Sequence, residues 1–223
     1  MAKLKVLRQL KHYFVLGSIM AVKILGGIAK GYNLQTPKGN LIRPTSAVLR
    51  RKAFDTYQDW DDWIFIDGCA GTGAMGIEAW SRGAKKIYFI EKHRKVYPIL
   101  KSNIEKIQSS YASYLEEDAF ISSNQALENW LIGFKKTYES LSQEEKSMCL
   151  LFLDPPYHQK ETYQKVVFKR LIEEKWFKGW LWIESDEKKG ISSEDLKNQG
   201  ISFYDFITQG DSFLAVVKIT AHQ

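Results

Sequence analysis

An α/β fold with a mostly parallel sheet is what the sequence predicts, and three observations carry it. Apolar runs of strand length alternate with segments of helix length, the pattern of strands joined by crossover helices. The run at residues 63–66 passes straight into Asp67-Gly68-Cys69-Ala70-Gly71-Thr72-Gly73 and then a helix, so a buried strand feeds a glycine-rich turn. Residues 201–208 and 212–219, about Gln209-Gly210-Asp211, read as a closing hairpin that adds an antiparallel strand.

In chain order, residues 1–21 read as a flexible extension. Lys3, Lys5, Arg8 and Lys11 precede an apolar run at residues 13–22 with the outline of an export signal. The run is too short to span a membrane and shows no clear cleavage site, and Met20 offers an alternative start. Residues 22–60 read as an appendage of a hairpin and a helix. The hairpin pairs residues 22–25 with 32–34 around Gly26, Gly27 and Gly31. The helix starts near Arg43-Pro44-Thr45, where proline suits a first turn, and runs to about Gln58. Leu49, Ala53 and Tyr57 share one face of it, with Phe54 at the edge; Arg50 lies on that side, and Arg51 and Lys52 point elsewhere. An arginine so placed either snorkels or, with Arg43, faces the cofactor or phosphates, and both readings stand.

Residues 61–223 read as the main domain. After the glycine turn a helix at 74–82 ends at Gly83, a strand at 86–91 ends on Glu91, and a helix spans 93–108. Residues 111–117 alternate as a third strand ending at Asp118, which either contacts an adenine amino group or caps a helix at 119–130. A polar connection at 134–147 leads to the apolar strand 149–153, then a helix at 161–175 and a strand at 181–184.

Composition narrows the class. The 223 residues are 44% hydrophobic and 26% charged, which suits a globular chain with a large core. A net charge of +6 is compatible with a polyanionic partner and common without one. Cys69 and Cys149 sit in apolar surroundings and read as buried thiols in a reducing compartment. His12, His93, His158 and His222 lack ligand spacing, so no metal is expected.

Two motifs carry chemistry. Gly71-x-Gly73-x-x-Gly76 also satisfies the dinucleotide fingerprint. Asp67 at the strand end would repel a pyrophosphate but suits a cationic ligand such as S-adenosylmethionine, while Glu91 can accept from ribose hydroxyls in either case. The second motif, Asp154-Pro155-Pro156-Tyr157, follows the strand at 149–153. Two prolines fix the backbone and remove two donors, Asp154 adds an acceptor, and Tyr157 adds a flat face. That set suits a planar base carrying an amino group, and methyl transfer explains both motifs where hydride transfer does not.

The chain resembles the RsmD-type family of bacterial methyltransferases, which modify a guanine N2 amino group in small-subunit ribosomal RNA. The likeness rests on Lys23-Ile24-Leu25-Gly26-Gly27, Arg43-Pro44-Thr45 with Arg50 and Phe54, residues 67–84, Glu91, Asp118-Ala119-Phe120 and residues 154–157, and spans residue 22 onward. It implies a Rossmann-like S-adenosylmethionine-dependent methyltransferase with a seven-stranded, mostly parallel sheet, one antiparallel strand, and helices on both faces. It implies cofactor binding by the turn from Asp67 to Gly73 and by Glu91, and base handling by Asp154, Pro155, Pro156 and Tyr157. The candidate cofactor residues are then Asp67, Gly68, Ala70, Gly71, Gly73 and Glu91, with Asp118 added from its place after a strand, and the candidate RNA contacts are Arg43, Arg50, Arg51 and Lys52. Expected partners are ribosomal RNA or the small subunit, for a monomer acting in the cytoplasm away from membranes. A DNA amino methyltransferase and a non-catalytic RNA-binding assembly factor are the alternatives. Three departures from the family pattern stand out: the hairpin carries Ile28, Ala29, Tyr32 and Asn33 where basic residues are common, Asp55 stands where asparagine is usual, and Cys69 replaces a phenylalanine.

Overall fold

The long apolar runs lie side by side as the middle of one sheet. A computed structural model describes residues 22–37 and 46–220. Its strands are β3 (Ile64–Asp67), β4 (Lys86–Ile90), β5 (Phe120–Ser123), β6 (Cys149–Leu153), β7 (Gly179–Asp186), β8 (Asp205–Gln209) and β9 (Ser212–Ile219). They are ordered β5-β4-β3-β6-β7-β9-β8, with β3 to β7 mutually parallel and β9 antiparallel to both neighbours. This is the seven-stranded, mostly parallel Rossmann-like sheet that was expected, with its one antiparallel strand made by the closing hairpin.

Why the central strands are apolar at every position follows from what covers them. Phe65, Phe89, Phe152 and Trp182 face one core, and Ile64, Ile66, Tyr88, Ile90, Leu151, Leu153 and Ile183 face the other. Helices α1 (Ala47–Thr56), α2 (Ala74–Ser81) and α3 (Tyr97–Ser110) cover the first face. Helix α4 (Leu127–Glu139), the segment α6 (Lys160–Tyr163) with its wide π-type continuation Gln164–Glu173, and α7 (Ser193–Asn198) cover the second. The short α5 (Gln143–Ser147) carries a capping box of Ser142 and Glu145. No helix among the described residues is long and apolar enough to cross a membrane.

The described residues 22–37 and 46–60 pack onto this body. The strands β1 (Val22–Lys23) and β2 (Asn33–Leu34) form the expected hairpin. Ile24 and Leu34, with Leu49, Ala53 and Phe54 of α1, join the same core as Phe65 and Trp182. Phe54 lies 4.9 Å from Trp60 and 5.8 Å from Trp182 between ring centres, so three aromatic side chains lock α1 to the sheet. The helix expected from Arg43 is described from Ser46, whose hydroxyl caps it; Arg43-Pro44-Thr45 and residues 1–21 lie outside the described residues.

Polar contacts fix the hairpin and α1 to α2. The Ile28 amide donates to the Ser81 carbonyl at 2.7 Å, and the Ala29 amide to the Ser81 hydroxyl at 2.9 Å. The chain approaches so closely that a Cβ at Gly27, where φ is +72°, would lie 1.6 Å from the Ser81 carbonyl oxygen. Fully buried Glu78 accepts from the Leu25 amide at 2.7 Å and from Arg82 Nε at 2.9 Å, and Arg50 Nε lies 3.9 Å away. Arg82 also donates to the Phe54 carbonyl at 3.0 Å and to Asp55 at 3.2 Å. Asp55 is thus a partner of Arg82.

One strand differs from expectation. The third parallel strand is β5, not residues 111–117, because α3 continues to Ser110 and Ala112–Tyr114 makes a short helical turn. Tyr111 packs on Trp80 and Tyr32, while Phe120 packs on Phe89 and Trp80 and starts the edge strand. The helix expected at 119–130 accordingly begins at Leu127.

The helix opened by the glycine turn sits tight against β4. A Cβ at Gly76 would meet Phe89 Cε1 at 2.4 Å and Ile87 Cγ2 at 2.7 Å. Gly76→Ala should therefore overpack this contact and lower stability by about 1–3 kcal/mol, read as a lower urea midpoint at unchanged slope. An unchanged midpoint would show that α2 can lift from the sheet at no cost.

Candidate active site

The sheet places carboxylates in a row. Asp67 ends β3, Glu91 and Asp154 follow β4 and β6, and Glu184 lies near the end of β7, all at carboxyl ends, where open α/β sheets bind ligands. Each shares the strand parity of Phe65, Phe89, Phe152 and Trp182, so all four belong to one face. Together they line a cavity of about 550 Å³.

The glycine turn forms the floor. Gly68, Ala70 and Gly71 line the cavity; Gly73 does not, but with φ at +84° it opens α2, and a Cβ there would crowd Leu100 at 2.8 Å. Glu91 Oε2 accepts from the Gly71 amide at 2.8 Å and Oε1 from the His93 amide at 2.7 Å. A carboxylate has about four acceptor positions, so both oxygens retain capacity for hydroxyl donors. Asn103 donates to the Thr72 carbonyl at 2.9 Å and to the Gln35 carbonyl at 3.0 Å, tying the turn to the chain beyond the hairpin.

Asp67 is 1% exposed, and its Oδ2 accepts from the Gly76 amide of α2 at 3.0 Å. Burial, reinforced by the charges of Asp154 and Glu91, pushes its acid up to about 7 against the pull of the Gly76 bond. Carboxylates this close raise one another's cost of ionisation, which a cation bound among them lowers. A sulfonium with an ammonium tail fits that donor set; a pyrophosphate would meet it with like charge. The Cys69 thiol, also lining the cavity, is pushed well above its ordinary range by burial and the same carboxylates, so it stays protonated. No cluster of three or more His, Cys, Asp or Glu among the described residues could hold a metal ion.

The opposite wall is Asp154-Pro155-Pro156-Tyr157. The Gln159 amide donates to the Pro156 carbonyl at 2.7 Å and closes the turn after the prolines. The Tyr157 hydroxyl lies 3.3 Å from that of Ser212, which lies 3.4 Å from Asp186 Oδ2. These contacts anchor the Tyr157 ring by its hydroxyl end.

Several expected residues fall elsewhere. Asp118 precedes β5 at the amino ends of the strands and pairs with Lys86 at 2.5 Å on the surface, so it is no adenine contact. Gln125, beyond the carboxyl end of β5, lines the cavity in its stead. Arg50 is 1% exposed and donates to the Lys23 carbonyl at 2.5 Å, which removes it from any RNA-contacting surface. Burial lowers its pKa from the usual arginine value, against the opposing pull of Glu78 and Glu184. Arg51 and Lys52 are exposed but border a separate shallow groove with Asp55 and Ile207. The sequence reading missed Gln125, Glu128, Thr162 and Glu184. Glu184 was within reach of it, since the strand at 181–184 ends on this residue.

Comparison with known proteins follows the same lines. Ribosomal RNA small subunit methyltransferase D of Haemophilus influenzae is 27% identical over 173 residues, covering 76% of this chain and 81% of the relative. The protein of the same name from Buchnera aphidicola is 28% identical over 173 residues, with the same coverage. Among solved structures, yhhF of Escherichia coli superposes with a TM-score of 0.63 at 22% identity, over 91% of this chain and 99% of that one, a likeness of fold. The family model described as conserved hypothetical protein 95 matches residues 22–214, nearly the whole described body, and the chain therefore belongs to that family, the RsmD-type family of the resemblance.

Proposed function

We propose that this protein transfers a methyl group from S-adenosylmethionine to the exocyclic N2 amino group of a guanine in small-subunit ribosomal RNA. The observation that carries the reading is the single cavity in which the glycine turn, Asp67 and Glu91 face Asp154-Pro155-Pro156-Tyr157. The names borne by the Haemophilus and Buchnera relatives support the RNA substrate.

S-adenosylmethionine supplies an electrophilic methyl on a sulfonium. Glu91 would hold the ribose hydroxyls, and Asp67, through α2, would face the cationic end. An aromatic amino nitrogen is a weak nucleophile because its lone pair is delocalised into the ring. Asp154 accepting one N–H, with a proline carbonyl beside it, favours the pyramidal, electron-rich form. These contacts strengthen as positive charge grows on nitrogen, so they stabilise the transition state more than the bound base. Tyr157 stacks on the base once it has left its helix.

The test is labelled methyl transfer to ribosomal RNA and to small subunits lacking the modification, with nucleoside analysis. N2-methylguanosine is expected; label confined to adenine, cytosine or DNA would overturn the substrate, and no transfer would overturn the activity.

Asp67 adds a pH signature. Its pKa in the folded chain, about 7, lies above the unfolded carboxylate value near 4. Protonation of Asp67 therefore favours the ligand-free fold at low pH, a contribution that fades as pH rises from about 4 to 7. A cationic ligand favours the ionised form, so binding runs the other way. S-adenosylmethionine should bind up to about tenfold tighter at pH 8 than at pH 6, and Asp67→Asn should flatten the profile. Equal affinity at both values in the unmutated protein would show that Asp67 does not sense the ligand.

A further inference from the structure

In sheet order the carboxylates run Glu91, Asp67, Asp154, Glu184, and the proposed reaction uses the first three. Glu184 is 4% exposed and still lines the cavity. The register pairs Leu153 with Ile183, so Asp154 and Glu184 come level on adjacent strands about 4.8 Å apart, on the same face. Tyr163 holds the Glu184 backbone, its hydroxyl donating to the carbonyl at 2.9 Å. Arg50, itself buried, is near enough that its charge and that of Glu184 favour each other. Glu184 is thus a buried carboxylate that has a counter-charge near it in the core and lines the cavity.

Its position selects what it can touch. Glu91, at the ribose end, is three strands away, so Glu184 belongs to the acceptor side. An ionised carboxylate accepts and cannot donate, so the group it meets must carry an N–H. Guanine presents N1–H directly beside its N2 amino group. Adenine and cytosine place a ring lone pair beside theirs, which would point at the carboxylate.

We propose that Asp154 and Glu184 act as adjacent acceptors for the N2–H and N1–H of one base, and that Glu184 thereby selects guanine. This rests on the preceding reading that a base amino group accepts the methyl.

The test uses 2-aminopurine, which keeps the amino group but has an acceptor at N1. Once nucleoside mapping has fixed the methylated position, a synthetic segment carrying guanine or 2-aminopurine there is joined into the RNA. The unmutated protein should prefer guanine by about 10²-fold or more in kcat/KM. In Glu184→Gln, whose amide can donate, that ratio should fall to within about tenfold, with the S-adenosylmethionine melting shift retained. Equal rates on both bases with the unmutated protein, or an unaltered ratio in the variant, would overturn the assignment of Glu184 alone. The first of these needs no variant to fold. No transfer to either base would overturn the amino-methylation reading and this inference with it.

Discussion

Asp154→Ala should lower kcat for methyl transfer by about 10²–10³-fold, the cost of removing one preorganised partner of charge that develops in a transition state. Cofactor binding should survive. Asp154 sits at the open end of β6, beyond the buried run Cys149–Leu153, so its loss leaves the sheet intact. It also removes a neighbouring charge that raises the Asp67 acid, so affinity for a cationic ligand should change far less than the rate. Single-turnover transfer alongside cofactor titration separates the two. Full activity in Asp154→Ala would move the chemistry away from the Asp-Pro-Pro-Tyr wall, and a joint loss of cofactor binding and rate would make Asp154 a cofactor residue.

Glu78→Ala should destabilise the fold by about 3–5 kcal/mol, the range for removing one partner of a buried ionic network. Glu78 is fully buried and neutralises two arginines from different elements, Arg50 at 1% exposure and the less buried Arg82. Its removal leaves Arg50 with Nε and Nη1 making no hydrogen bond among the described residues and strips the Leu25 amide of its acceptor. Adding Arg50→Met should return part of the loss, because the uncompensated cation goes with it. Urea unfolding measures both. A loss under about 1 kcal/mol in Glu78→Ala would mean that water or Glu184 takes over as counter-charge.

How much of this was legible before any coordinates depended on whether a residue's role was local. The turn at residues 67–73 and the wall at 154–157 could be read because each is a strand end followed by chain-breaking residues, and the sheet brings those ends together whatever else varies. The closing hairpin was legible for the same reason. Strand β5 was not, because it is a short edge strand with exposed Ile121, and the alternation just before it belongs to the end of α3 and its following turn. Asp118 went to the wrong end of the sheet with that shift. Arg50 was ambiguous because spacing gives a helix face but not what lies opposite, and here Glu78 is 28 positions away in the chain. Glu184 stands at the end of an expected strand, but spacing alone does not show that this strand lies next to the one that ends at Asp154; the sheet register supplies that.

The contact between the hairpin and Ser81 joins residues more than 50 positions apart, and its partner α2 is itself ordered by packing on β3 and β4. Pairing of β3 with β4 closes a span of only 22 positions, from Ile64 to Lys86, so the hairpin is expected to close after that pair and its helix have formed. Interactions absent from the transition state slow unfolding without speeding folding. Substitutions at the glycines at 26 and 27 should therefore shorten the lifetime of the native state more than they slow its formation, and the hairpin acts as a latch on the helix that follows the glycine turn.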